Sequence, residues 1–182
     1  MDTRRHFLTT LAGFLALSAC GGPVAQVALG SDGQPLPLLY RIAPGASSGI
    51  RARMLDRVNV VRIAAGAVPL RATPRLDTAA QAHARDLSGQ DRQGHTGSDG
   101  TTPVDRASRA GYRGTVLGET IAETYEPELA TLAAWMAQTD AQQVITDPDG
   151  RDLGFGYFQN DSGKIWWVLV VGDGAGPSGT PR

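Results

Sequence analysis

Two apolar, β-prone runs near the end of the chain constrain its fold more than any other feature. Residues 153–159 and 165–171 are rich in aromatic and branched side chains, and the polar link Asn-Asp-Ser-Gly separates them. Two such runs joined by a short link that contains glycine are typical of a β-hairpin. We therefore expect an antiparallel hairpin at the end of the domain, on which other elements pack.

The segments before this hairpin have helical periodicity. Apolar residues recur every three or four positions in residues 51–66, 76–87 and 127–138, and residues 103–110 form a shorter candidate helix. Pro74 suits the first turn of the second helix. Helices followed by a terminal hairpin predict an α+β fold, with helices packed on a small antiparallel sheet.

Size and composition place the chain among ordinary globular domains. It has 182 residues, of which 41% are hydrophobic and 19% charged, enough for one domain with its own core. The formal net charge of -1 supplies no basic field, so we expect no nucleic-acid partner. Cys20 is the only cysteine, which excludes an intramolecular disulfide and a cysteine-based zinc site.

Residues 1–19 have the composition of an export signal. Arg4 and Arg5 resemble the paired arginines of the twin-arginine export motif. Residues 7–19 form an apolar stretch too short to span a bilayer, which takes about 20 apolar residues. Residues 17–20, Leu-Ser-Ala-Cys, resemble the lipobox of bacterial lipoproteins. The alternative is a general secretory signal with an incidental cysteine.

Cys20 is the predicted site of lipid attachment and therefore of membrane anchoring. Each buried CH₂ of an acyl chain contributes roughly 0.8 kcal/mol, and stable anchoring generally takes more than one chain. Residues 20–49, rich in Gly, Pro, Ser and Ala, are expected to be a lipidated tether, and residues 173–182 a disordered tail. We predict an exported lipoprotein on the periplasmic or cell-surface side of a membrane, with its folded domain in residues 50–172.

Several short motifs occur in a fixed order along residues 55–171. They are Asn59 and Arg62 in the first helix, residues 76–86, His-Thr-Gly-Ser-Asp-Gly at 95–100, Ala-Gly-Tyr at 110–112, Gly-Glu-Thr-Ile-Ala at 118–122, Trp135, and Gly-Phe-Gly-Tyr at 154–157. In this order they resemble the CAP superfamily of cysteine-rich secretory proteins, antigen 5 and pathogenesis-related proteins, in its short, disulfide-free bacterial form. The resemblance implies an α-β-α sandwich, in agreement with the fold class that periodicity predicts.

The resemblance also implies a central cleft with two histidines and two acidic residues, which in some members bind a divalent cation. His95 matches the first histidine, and Glu119 the first glutamate, although Thr120 follows it where the family usually has asparagine. The second acidic position, on the same helix face as the preceding tryptophan, is Gln138 here. The second histidine position is Ala141. The implied cleft residues are therefore His95, Glu119 and Gln138.

This set of residues is poor in metal ligands. A catalytic zinc site generally needs three protein ligands and an open position. Alanine offers no ligand and glutamine is a weak one. His95 and Glu119 therefore remain as weak candidates for a metal site with only two protein ligands. We expect no metal, zinc included, and no other cofactor.

His95 and Ser98 have alternative interpretations. Judged from its polar loop alone, His95 would only order that loop by hydrogen bonds; with the resemblance, we expect it to bond Glu119 beside a cleft. A histidine–carboxylate pair is a candidate base and orienting group in acyl transfer, which also needs a nucleophile. Ser98 is close in sequence, but its Ser-Asp-Gly setting is typical of a turn.

The other histidine and the tryptophans of the domain are expected to serve packing. His83 lies on the apolar face of the second helix, and Trp135 has the spacing of a core residue. Trp166 and Trp167 are adjacent in a predicted strand, so their side chains point to opposite faces. We expect one in the core and the other exposed, as a contact surface for ligand, lipid or partner.

Three functions remain open on the sequence. The first is a binding module at the cell envelope that takes a small molecule, a lipid or an envelope ligand in its cleft. The second is a hydrolase of peptides or cell-wall material that uses His95 and Glu119 as acid and base. The third is a structural domain that has lost its cleft function. The incomplete set of cleft residues favours the binding module over the enzyme.

Overall fold

The structure, a computed structural model, describes residues 39–174. They form α1 (Ser47–Ala64), β1 (Arg71–Ala72), α2 (Pro74–Gln90), α3 (Pro103–Arg109), β2 (Val116–Thr124), α4 (Glu128–Met136), α5 (Thr139–Thr146), β3 (Asp152–Gln159) and β4 (Ile165–Gly172). The predicted signal peptide, Cys20, most of the predicted tether and residues 175–182 of the predicted tail lie outside the described residues. No described helix is both long and apolar enough to cross a membrane.

The sheet has the strand order β1-β3-β4-β2. The predicted hairpin is β3 with β4, which pair antiparallel from Asp152 opposite Gly172 to Gln159 opposite Ile165. Strand β2 pairs antiparallel with the other side of β4, and β1 pairs parallel with β3 over two residues. The predicted α+β class is confirmed, with one short parallel pair in an otherwise antiparallel sheet.

Helices cover both faces of the sheet, which gives the expected α-β-α sandwich. Trp167, Leu169 and Val171 of β4 pack with α1, α4 and α5, whereas Trp166 and Val168 pack with α2 and α3. Both tryptophans have 0% exposed surface. The expectation that one of them is exposed is wrong, because a helical layer packs on each face of β4.

Strands β1 and β2 and helix α5 are missing from the sequence-based prediction, and the helix predicted for residues 127–138 is too long. Helix α4 ends at Met136, and Gln138 is the N-cap of α5. Gln138 therefore lies beyond the end of α4 and does not share a helix face with Trp135, contrary to what the resemblance implies. Trp135 itself is 1% exposed, as expected of a core residue.

Helix α2 lies directly on β3 because two glycines of that strand lack side chains. A Cβ at Gly154 would collide with the backbone of Leu76, and a Cβ at Gly156 would collide with the backbone of Gln81. This close contact places α2 against the sheet, and His83, two residues after Gln81, is fully buried.

Buried Arg62 joins α1 to the chain that follows α5. Its guanidinium donates to the main-chain oxygens of Val68, Ile145, Asp147 and Gly150, at distances between 2.7 and 3.2 Å. Because α5 forms one wall of the cleft described below, Arg62 fixes the position of that wall from the core side.

The described part of the predicted tether packs on the domain. Tyr40 and Ile42 contact the core, and Gln159 bonds both, accepting from Ile42 N at 2.9 Å and donating to Tyr40 O at 2.7 Å. Residues 39–46 form no strand, and α1 begins at Ser47, shortly before the predicted boundary of the domain.

The described start of the predicted tail is also bonded to the domain. Asp173 N donates to Thr115 O at 3.0 Å, and Gly174 N donates to Tyr112 Oη at 3.0 Å. The bonded chain therefore extends past the predicted boundary at residue 172.

Candidate functional site

Glu119 is the buried centre of the candidate site. It lies in the middle of β2, with its side chain 2% exposed. The carboxylate points towards α2 and α3, where His83 and Arg106 lie. A carboxylate taken so completely out of water needs hydrogen-bond donors or a counter-charge.

The structure brings His95 next to Glu119. Nδ1 of His95 lies 3.0 Å from Oε1 of Glu119, while the histidine side chain stays 62% exposed. The hydrogen bond with Glu119 raises the pKa of His95, against opposing effects of partial burial and of Arg106. Because Nδ1 faces the carboxylate, Nε2 on the opposite side of the ring is the nitrogen presented to a ligand.

Arg106 is a site residue that the sequence analysis missed. Nη2 lies 3.0 Å from Oε1 and 2.8 Å from Oε2 of Glu119, and Nη1 donates to His95 O at 3.0 Å and to Thr101 O at 2.9 Å. The arginine side chain is 8% exposed. It therefore neutralises the buried carboxylate and holds the loop that carries His95.

A local sequence signal does mark the start of the helix that positions Arg106. Thr102 and Asp105 form a capping box, in which each side chain bonds the main-chain N–H of the other residue. Arg106 follows directly. The signal fixes where α3 begins, but it does not reveal that Arg106 meets a carboxylate on a distant strand.

His83 is the second residue that belongs to the site without having been assigned to it. The ring is completely buried, with Nε2 2.8 Å from Gly94 O and 3.7 Å from Glu119 Oε1. A carbonyl only accepts, so Nε2 carries the proton. Burial lowers the pKa of His83, although Glu119 opposes this shift. His83 is therefore a neutral ring that donates a hydrogen bond to Gly94, in the loop that carries His95.

Gln138 and Ala141 lie across the cleft from His95. They line, together with His95 and Glu119, a cleft of about 670 Å³. Gln138 is exposed, and its Nε2 donates to Ala134 O near the end of α4 at 3.3 Å, while Ala141 is 7% exposed. Both positions implied by the resemblance thus face the cleft, but neither contributes a charged group.

These residues do not fit a divalent cation. Residues 39–174 contain no group of three or more His, Cys, Asp or Glu side chains arranged to hold one. The place beside Glu119 that a cation would take already holds the guanidinium of Arg106. A metal ion there would be repelled by Arg106 and would have only His95 and Glu119 as ligands.

Ser98 has the turn role that its sequence setting predicts. Its Oγ donates to Asp86 Oδ1, and its N–H donates to Asp86 Oδ2 at 2.8 Å. Both bonds tie the loop to α2. The hydroxyl is thus engaged with a carboxylate and has no hydrogen bond to a histidine among the described residues.

Comparison with sequence families gives a match over most of the described domain. The model of the family described as "CAP: Cysteine-rich secretory protein family" matches residues 55–171, which is more than half of the chain. No curated protein matches the chain.

Solved structures share the fold at low sequence identity. An outer surface protein of Borrelia burgdorferi superposes with a TM-score of 0.64 at 17% identity, covering 69% of this chain and 93% of that one. An extracellular protein with an SCP domain from Bacillus anthracis gives 0.64 at 18% identity, covering 72% and 44%. A cysteine-rich secretory protein of Staphylococcus aureus gives 0.53 at 12% identity, covering 74% and 41%. The chain thus matches less than half the length of the last two proteins.

Proposed function

Because the chain belongs to the CAP family of cysteine-rich secretory proteins, we propose that it is a binding module that acts outside the cytoplasm. Its cleft takes a ligand beside His95, and its N-terminal lipid on Cys20 holds it to a membrane. The twin-arginine-like start and the lipobox-like Leu-Ser-Ala-Cys support the anchor. Two structural neighbours are an outer surface protein and an extracellular protein, which supports an exported domain.

The observation that carries the binding role is the neutralisation of Glu119 by Arg106. The carboxylate of Glu119 is contacted by a guanidinium nitrogen on both oxygens and by the His95 ring on one, so both of its oxygens are already engaged by fixed partners. It orients the His95 ring, whose other edge is open to the cleft. His95 is therefore better suited to hydrogen-bond a ligand in a fixed orientation than to exchange protons with Glu119.

The hydrogen bond between His95 and Glu119 also favours, less strongly, a second candidate function, hydrolysis of peptides or cell-wall material. There His95 would act as the acid or base and Glu119 would orient it. The reaction would need an activated water, since the hydroxyl of Ser98 is bonded to Asp86. The pair is present in either case, so only turnover distinguishes the two functions.

One experiment tests ligand binding and turnover together. The mature chain with Cys20→Ser is mixed separately with peptides, muropeptides and phospholipid micelles, and the midpoint of thermal unfolding and the products are measured. We expect one ligand class to raise the midpoint without being cleaved, and His95→Ala to abolish the rise. Cleavage that is lost in His95→Ala would establish the hydrolase instead, and no His95-dependent effect with any class would reject both.

The anchor is tested separately in cells. The full chain should partition with membranes, and Cys20→Ser should release it into the soluble extracytoplasmic fraction. Equal membrane partitioning of the two proteins would reject lipidation of Cys20.

A further inference from the structure

A groove runs along the open edge of β2 over the whole strand. The cleft of about 670 Å³ borders the strand from Val116 to Ile121, and a second cavity of about 280 Å³ borders it from Ile121 to Thr124. The two cavities share Gln93, Ile121 and Gln138 as lining residues. At about 3.3 Å per residue, the nine residues of the strand span roughly 30 Å.

Alternate residues of β2 direct their main-chain groups into this groove. Strand β2 is the last strand of the sheet and pairs only with β4. In an antiparallel sheet, the N–H and C=O of one residue point to the same side, and the sides alternate along the strand. Trp135 Nε1 donates to Ile121 O at 3.2 Å, which shows that Ile121 faces the open edge. Glu119 and Glu123 therefore face it as well.

Most of these main-chain groups are left unpaired inside the domain. Trp135 occupies the carbonyl of Ile121. The N–H groups of Glu119, Ile121 and Glu123 and the carbonyls of the two glutamates have no hydrogen-bond partner within residues 39–174. Unpaired donors and acceptors at every second residue of a long edge strand are the groups that an added strand takes up.

The walls of the groove leave room for such a strand and give it a charge preference. The helical wall presents three small side chains, Ala130, Ala134 and Ala141, between the larger ones of Trp135, Gln138 and Val144. Asp140 lines one cavity and Glu126 the other; both are exposed, and neither takes part in an ion pair among the described residues. Carboxylates along the groove favour a ligand with cationic side chains.

We propose that an extended polypeptide segment with basic side chains binds in this groove as an additional strand beside β2. Its main chain bonds the free groups of Glu119, Ile121 and Glu123, and its side chains alternate between the His95 wall and the wall formed by α4 and α5. This inference rests on the proposed binding function and names its ligand class. A lipid or a glycan would not use donors and acceptors spaced at two residues.

The test uses a displayed library of random twelve-residue peptides, selected on the mature chain with Cys20→Ser. We expect the selected peptides to be rich in Lys or Arg. The best binder is then synthesised with a single N-methyl group at each position in turn. N-methylation at every second residue should weaken binding about tenfold or more, while the residues between them tolerate it. The proposal would be overturned if N-methylation weakened binding at adjacent positions alike, or if the selection gave no binder.

A protein variant provides independent evidence. Ile121→Pro removes an outward N–H that no strand of the domain uses, whereas Ile121→Val keeps it. We expect Ile121→Pro to weaken the peptide about tenfold and Ile121→Val to bind as the unsubstituted chain does. If Ile121→Pro does not fold, the N-methyl series alone decides. If muropeptides or lipids bind in a His95-dependent way while no peptide does, the binding function stands and pairing with β2 is rejected.

Discussion

Arg106 and Glu119 are joined through a single guanidinium nitrogen, which lies 3.0 Å from one carboxylate oxygen and 2.8 Å from the other. Both side chains are almost fully buried, and the second terminal nitrogen of Arg106 bonds the loop that carries His95. This ion pair thus sets the charge of the site and the position of its histidine at once.

Arg106→Met should destabilise the domain strongly, because it leaves the Glu119 carboxylate buried without its counter-charge. Removing one partner of a buried ion pair costs about 3–5 kcal/mol, and urea unfolding measures it. The matched control is Arg109→Met on the same helix, whose partner Asp99 is exposed, and we expect little change there. Adding Glu119→Gln to Arg106→Met should restore part of the loss. An equal effect of the two arginine variants would contradict this role.

The two histidines of the site should respond to pH in opposite directions. The pKa of His95 is raised by Glu119, so its contribution to stability is present below about pH 6.5 and is lost as the pH rises through the folded value. The pKa of His83 is lowered by burial, so the unfolded chain takes up the proton more readily and the free energy of unfolding falls below about pH 6.5.

Nuclear magnetic resonance titration of the two imidazole rings measures these shifts directly. We expect His95 to titrate above, and His83 below, an unstructured histidine. Glu119→Gln should lower the pKa of His95, because it removes the charge that stabilises the imidazolium. An unchanged pKa of His95 in that variant would show that its hydrogen bond with Glu119 does not raise that pKa.

Gly156→Ala should disrupt the seating of α2 on the sheet. The added methyl group would meet the backbone of Gln81, which cannot move without shifting the helix, and overpacking typically costs about 1–3 kcal/mol and occasionally more. Gly89→Ala is the control, because Gly89 lies in α2 itself and a Cβ there meets nothing within 4 Å. It should be neutral or stabilise by about 0.5–1 kcal/mol. Chemical denaturation of both variants checks the difference.

Calorimetric titration with Zn²⁺ should detect no binding at micromolar concentration. The reason is the guanidinium of Arg106 beside Glu119 together with the alanine at position 141. Micromolar binding that disappears in His95→Ala would show that Arg106 moves aside for a metal, and it would overturn the view of a site without a cation.

The sequence by itself determined the elements whose signals are local. The hairpin of β3 and β4, the helical periods of α1 and α2 and the short helix α3 were predicted from the sequence, because side-chain periodicity and turn residues act over a few positions. The pairing of His95 with Glu119 was also expected, but from family resemblance and not from spacing. Strands β1 and β2 and helix α5 were missed.

Only the tertiary structure decided what surrounds Glu119. Arg106 and His83 lie on two different helices and meet the carboxylate because glycines in β3 let α2 approach the sheet and the capped α3 ends beside it. The open edge of β2 likewise exists only once β4 has a strand on each side and β2 is left as the last. Such contacts join residues far apart in the chain, and their burial supplies the free energy that local periodicity cannot encode.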